Sequence, residues 1–123
     1  MFNQIAQTIP YQQITVEGFE ISIKRLDLVH PHISGNKFFK LKYNLLAARQ
    51  QGYKKLLTFG GAYSNHIAAT AYAAQLFGFE SQGIIRGEEL TSKALNATLS
   101  TAQQFGMQLQ FVTREAYRQK QSP

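Results

Sequence analysis

Three glycines, Gly52, Gly78 and Gly106, punctuate this chain at intervals of 26 and 28 residues. Each follows a stretch with helical spacing of apolar residues and precedes a short apolar run. Glycine tolerates the left-handed conformation that closes a helix, so the three positions read as helix ends, each leading into a strand. Helix–strand units repeated at this length build a parallel sheet with right-handed crossovers. The expected fold class is therefore α/β, a three-layer α/β/α arrangement around a small parallel sheet.

The elements fall into place around those glycines. A helix is expected from Lys37, with Phe38, Leu41, Leu45 and Ala48 on or near one face and Leu46 beside it. Residues 55–59 suit a buried strand. Residues 60–65 form a turn with Ser64 as N-cap. The alanines of the helix over 66–77 let it lie close to the sheet. Further strands are expected over 82–85 and 108–112, a polar loop over 86–93, and helices over 96–105 and 114–121. Residues 1–19 read as polar and irregular, residues 20–26 as one strand by period-2 alternation, and residues 27–36 as a loop with Pro31 and Gly35. The organisation expected is an N-terminal segment, 1–33, holding one strand and belonging to an incomplete large domain. A small α/β domain, 34–123, follows. Three parallel strands are few for a finished doubly wound domain. The chain is thus expected to be a portion of a longer enzyme.

Composition removes several functions. Lys plus Arg is 13 and Asp plus Glu is 7, a net charge of +6. The basic residues are scattered, with no run of like charge, which argues against a nucleic-acid partner. There is no Cys, so a disulfide scaffold, a thiolate metal site and a cysteine nucleophile are excluded. No apolar run approaches the roughly 18 residues of a membrane span, and the N-terminus lacks a secretory signal pattern. A cytoplasmic protein without membrane partners is expected.

Two motifs can carry chemistry. Ser34-Gly35-Asn36-Lys37 delivers a lysine to a helix start. The positive end of the helix dipole and the nearby Lys40 both disfavour an ammonium there, the direction an amine nucleophile needs. The alternative is a solvated lysine. The second motif is Thr58-Phe59-Gly60-Gly61-Ala62-Tyr63-Ser64-Asn65-His66, between a strand and a helix. Its glycines permit close backbone approach, and the free N–H groups of the helix start favour an anion. The alternative is a plain glycine turn with a serine cap. His30 and His32 flank Pro31 with no third ligand in view, so no metal is expected. Gly60-Gly61 lacks the dinucleotide-binding spacing.

Together, the SGNK-F-F-K-L and TFGGAYSNHIAATA segments resemble the pyridoxal-phosphate enzymes grouped as 1-aminocyclopropane-1-carboxylate deaminases and D-cysteine desulfhydrases, within the tryptophan-synthase β-like fold. The resemblance runs from about residue 23 to 120 and is strongest over 34–78. It implies that Lys37 holds pyridoxal 5'-phosphate covalently and that Asn65 hydrogen-bonds the cofactor's ring oxygen. It also implies that Ser64 meets the substrate and that Asn65 and His66 receive its carboxylate. Lys40 matches a second family lysine. The implied reaction converts a small amino acid to a 2-keto acid and ammonia. There are departures. Phe39 stands where the family commonly has arginine, and His66 where the deaminases tend to have glutamine, which leans toward the desulfhydrases. Family members are about twice this length or more, and their glycine-rich phosphate loop has no counterpart here, so cofactor binding by this chain alone is expected to be poor. A non-catalytic domain and a generic anion-binding α/β module are the competing expectations. Exposed apolar surface and self-association would accompany a missing half.

Overall fold

In the computed structural model, residues 1–120 are described. The three glycines do what their spacing predicts. Gly52, Gly78 and Gly106 have φ of 77°, 78° and 86°. After each, the next N–H reaches back five residues: Tyr53 to Ala48 at 2.9 Å, Phe79 to Ala74 at 2.8 Å, and Met107 to Ala102 at 3.1 Å. This is the bond that closes a helix through a left-handed residue. The helices so closed are α1 (Asn36–Gln50), α2 (Asn65–Phe77) and α3 (Ala97–Gln104). Strands β3 (Lys55–Gly60), β4 (Glu80–Arg86) and β5 (Gln108–Val112) pair in parallel in the order β3-β4-β5. A short helix, α4 (Arg114–Arg118), follows Thr113, whose hydroxyl caps it by accepting from Ala116 N–H. Residue 121 of the expected last helix lies outside the described residues.

The core sits on one side of the sheet. Thr58, Gly60, Ser81, Gly83 and Ile85 alternate toward it and are buried. Two apolar clusters fill the space above them. One joins Phe2, Val29, Ile33, Phe38, Leu41 and Leu45 to Ala69 and Ala73, and the other joins Ile67, Ala71, Ile85, Leu99, Ala102 and Met107. Helix α2 contributes to both. Small residues make this possible, and glycine in the strands makes the approach closer still. A Cβ on Gly60 would lie 2.6 Å from Ile67 Cγ1, and one on Gly83 would lie 2.8 Å from Met107 Sδ. Among the described residues, the opposite face of the sheet is covered only by α4, whose Tyr117 ring meets Phe59 at 6.2 Å. Leu57 on that face is 58% exposed.

The N-terminal third corrects two expectations. Residues 1–19 are irregular only in part, and the first 33 residues hold two strands rather than one. Phe2 opens a 3-10 turn over Phe2–Gln4 and is 2% exposed, with its ring edge-on to Phe38 at 5.1 Å. A lone aromatic carries no periodicity, so its burial leaves no pattern to read. Strand β1 (Tyr11–Val16) pairs antiparallel with β2 (Phe19–Lys24). The turn is Glu17-Gly18, with φ of 49° and 82°, the two positive values of a tight hairpin. The segment over 86–93, expected as loop, includes a 3-10 turn at Glu88–Ser92.

Candidate active site

The lysine motif is shaped by its glycine. Gly35 has φ 64° and ψ −147°, a conformation open to glycine alone, and its N–H bonds Leu26 O at 3.0 Å. The chain therefore enters α1 abruptly. Phe38 then anchors the first turn in the core, which leaves Lys37 half-buried and Phe39 and Lys40 exposed. Lys37 Nζ donates to Asn36 Oδ1 at 3.0 Å.

The diglycine turn leads from β3 into α2. Ser64 has an extended backbone and its Oγ accepts from Ile67 N–H at 3.4 Å, a long capping bond. The capping role expected of Ser64 is thus present, alongside whatever else its hydroxyl does. The first N–H groups of α2, on Asn65 and His66, have no acceptor within the helix. Asn65 is exposed, and its side chain makes no hydrogen bond among the described residues. His66 is half-buried, with Nε2 3.5 Å from Thr70 Oγ1. Burial first, then the charges of Lys37 and Lys40, hold the His66 imidazole below its ordinary range. That influence links the two motifs electrostatically. A second link is geometric. Ser34 and Asn65 line one cleft of about 250 Å³, together with Pro31, His32, Thr101 and Phe105.

His30 and His32 serve the loop itself. His30 Nδ1 accepts from the N–H groups of His32 and Ile33, each at 3.1 Å. Burial, then His32, lowers the His30 pKa. The His32 ring packs on Tyr72 at 4.5 Å and on Phe105 at 5.6 Å, forming an aromatic wall. Asn96 adds a support that motif reading passes over. Its Oδ1 caps α3 by accepting from Leu99 N–H at 2.9 Å, and its Nδ2 donates to Ala62 O at 2.8 Å. One side chain thereby starts a helix and fixes the diglycine turn. Its sequence signal is an asparagine at a helix start.

Comparison with known proteins bears on this arrangement. A protein of Thermotoga maritima described as a 1-aminocyclopropane-1-carboxylate deaminase is 38% identical over 100 residues, covering 81% of this chain and 31% of the relative. This chain is a relative of the 1-aminocyclopropane-1-carboxylate deaminase and D-cysteine desulfhydrase family, over the N-terminal part of its members. A bifunctional D-cysteine desulfhydrase/1-aminocyclopropane-1-carboxylate deaminase of Arabidopsis thaliana is 32% identical over 103 residues, 81% of this chain and 26% of that protein. A D-cysteine desulfhydrase of Yersinia pestis is 35% identical over 77 residues, 63% of this chain and 23% of that protein. Among solved structures, a deaminase homologue superposes with a TM-score of 0.74 at 29% identity, covering 88% of this chain and 33% of that one. A hydrogen sulfide-producing enzyme of Fusobacterium nucleatum, with a TM-score of 0.68 at 16% identity, shares the fold. No family model matches. The chain spans about a quarter to a third of the length of these deaminase and desulfhydrase relatives. Among the described residues, no helix is long and apolar enough to cross a membrane.

Proposed function

We propose that this chain carries the lysine-bearing part of a cytoplasmic, pyridoxal-phosphate-dependent deaminase or lyase, one that acts on a small amino acid and yields a 2-keto acid and ammonia. The observation that carries the reading is the meeting of two motifs. Ser34 of the lysine motif and Asn65 of the diglycine motif line the same cleft.

The donor set fits the cofactor in part. A half-buried primary amine at Lys37 suits its aldehyde carbon, and the unbonded Asn65 amide suits its ring oxygen. A phosphate partner is not assigned to any residue of this chain. When bound, pyridoxal phosphate supplies an electron-poor ring that stabilises negative charge at the substrate Cα. The protein's own groups do the rest. The N–H groups of Asn65 and His66 bind the substrate carboxylate at the positive end of α2. For a substrate that carries a hydrogen on Cα, Lys37 Nζ takes that proton. Ser64 Oγ, still able to donate its hydrogen, lies one residue before those N–H groups and orients the group that leaves or opens. His66, held neutral, adds no positive charge beside Lys37.

The domain division, with residues 1–33 belonging to a larger domain, is part of the same proposal, as is self-association through apolar surface. The test is chemical. Purified chain is mixed with pyridoxal phosphate, reduced with borohydride, digested and mapped. The expected label is on Lys37, and it vanishes in Lys37→Met. A label spread over surface lysines at equal yield rejects the assignment. A colourless, unlabelled but folded protein favours the non-catalytic domain.

A further inference from the structure

The carboxyl ends of the three parallel strands hold one cation that the reading above does not use. Arg86 closes β4, and the register pairs Gly60 with Ile85, so Arg86 stands beside Gly61. Its Nη2 lies 3.8 Å from where a Cβ of Gly61 would be. Its guanidinium carbon is 5.9 Å from the centre of the Tyr117 ring. The same ring has Lys120 Nζ over it at 4.4 Å, and that ammonium is also 5.9 Å from the Phe59 ring.

Carboxylates are near in sequence yet form no ion pair with Arg86. Glu88 and Glu89 follow Arg86 within three residues. The ion pairs among the described residues instead join Arg25 to Asp27 and Arg114 to Glu89. Two cations thus sit on one aromatic ring, and neither has a carboxylate partner among the described residues. A ring face attracts cations but leaves their N–H donors to water or to an anion. A guanidinium offers those donors as a planar fork that matches phosphate and carboxylate oxygens in pairs. In open α/β sheets, the crevice outside the strand carboxyl ends is where ligands settle.

We propose that Arg86 and Lys120, held on the Tyr117 ring beside the diglycine turn, form a binding site for a small oxyanion, a phosphate or a dicarboxylate. The site requires neither Lys37 nor a cofactor. It goes beyond the proposed reaction and stands or falls separately from it.

The test is a titration of the ¹⁵N-labelled chain with inorganic phosphate and, separately, with malonate, at ionic strength held constant with sodium chloride. Saturable shifts are expected at the Arg86 side-chain N–H and the Gly61 amide. Arg86→Gln weakens binding by about tenfold or more, and Lys120→Gln by less. Both side chains are exposed, so the remaining amide signals report an intact fold. Lys37→Met leaves the titration unchanged. A response to phosphate alone or to both anions supports the site and names its ligand. Equal shifts with chloride, shifts indifferent to Arg86→Gln, or shifts confined to Asn65 and His66 overturn it.

Discussion

Two sheets in this molecule use similar residues and end in opposite situations. The β3-β4-β5 sheet buries one face beneath three helices. The β1-β2 hairpin sorts its side chains just as cleanly. Ile14, Val16, Phe19, Ile21 and Ile23 fall on one face with Gln12. Tyr11, Gln13, Thr15, Glu20, Ser22 and Lys24 fall on the other. Yet nearly every hairpin residue is exposed, Phe19 to 73%. Alternation determines which side of a strand is apolar. It does not provide the layer that covers it, and a bare two-stranded hairpin is marginal in water. What separates the two sheets is α2, which the hairpin has no counterpart for among the described residues.

The contrast yields three measurements, from strong to weak. Phe2→Ala removes a side chain that joins α1 and α2 to the N-terminus. A loss of about 3–5 kcal/mol is expected in urea unfolding, as for other buried aromatics. A loss below 1 kcal/mol would mean that the first cluster closes without it.

His66 tests the packed region by acid. Its imidazole, like that of His30, titrates lower in the fold than in the unfolded chain. The unfolded state therefore binds more protons once the pH drops through the ordinary histidine range, near 6.5. Stability is full above that range and falls as the pH descends toward the lowered folded value. His66→Asn should flatten this acid limb between pH 7 and 5, with His30 maintaining the remainder. An unaltered limb would mean that neither burial nor the two lysines lowers the His66 imidazole.

Phe19→Ser probes the uncovered face. A change of at most about 1 kcal/mol in stability is expected, together with less self-association by light scattering. A loss as large as that for Phe2→Ala would erase the distinction between the sheets.

Much of the packed region was legible before any coordinates. Strand β5 matches its expected bounds, and α2 and β3 differ by one residue, because Gly52, Gly78, Gly106 and the Ser64 cap mark boundaries chemically. Only the second strand of the hairpin is legible, since Glu17-Gly18 is an uncommon form of the two-residue turn and β1 itself carries Gln12, Gln13 and Thr15. The site was legible as two motifs, not as one place. Nothing in residues 34–37 says which cleft Ser34 lines, and Asn96, 34 residues from Ala62, is a partner that only the crossover brings near. Arg86 was one scattered base among 13 until the strand register set it beside Gly61.

The sharing of α2 between both apolar clusters has a consequence for how this protein opens. Ala69 and Ala73 belong to one cluster, and Ile67 and Ala71 to the other. Neither βα unit can detach without stripping that helix from its neighbour, so amide exchange along α2 should occur only in a concerted melting event. The same helix presents the N–H groups of Asn65 and His66 at its start, which ties the shape of that end to the cooperativity of the entire α/β layer rather than to the mobility of a local loop.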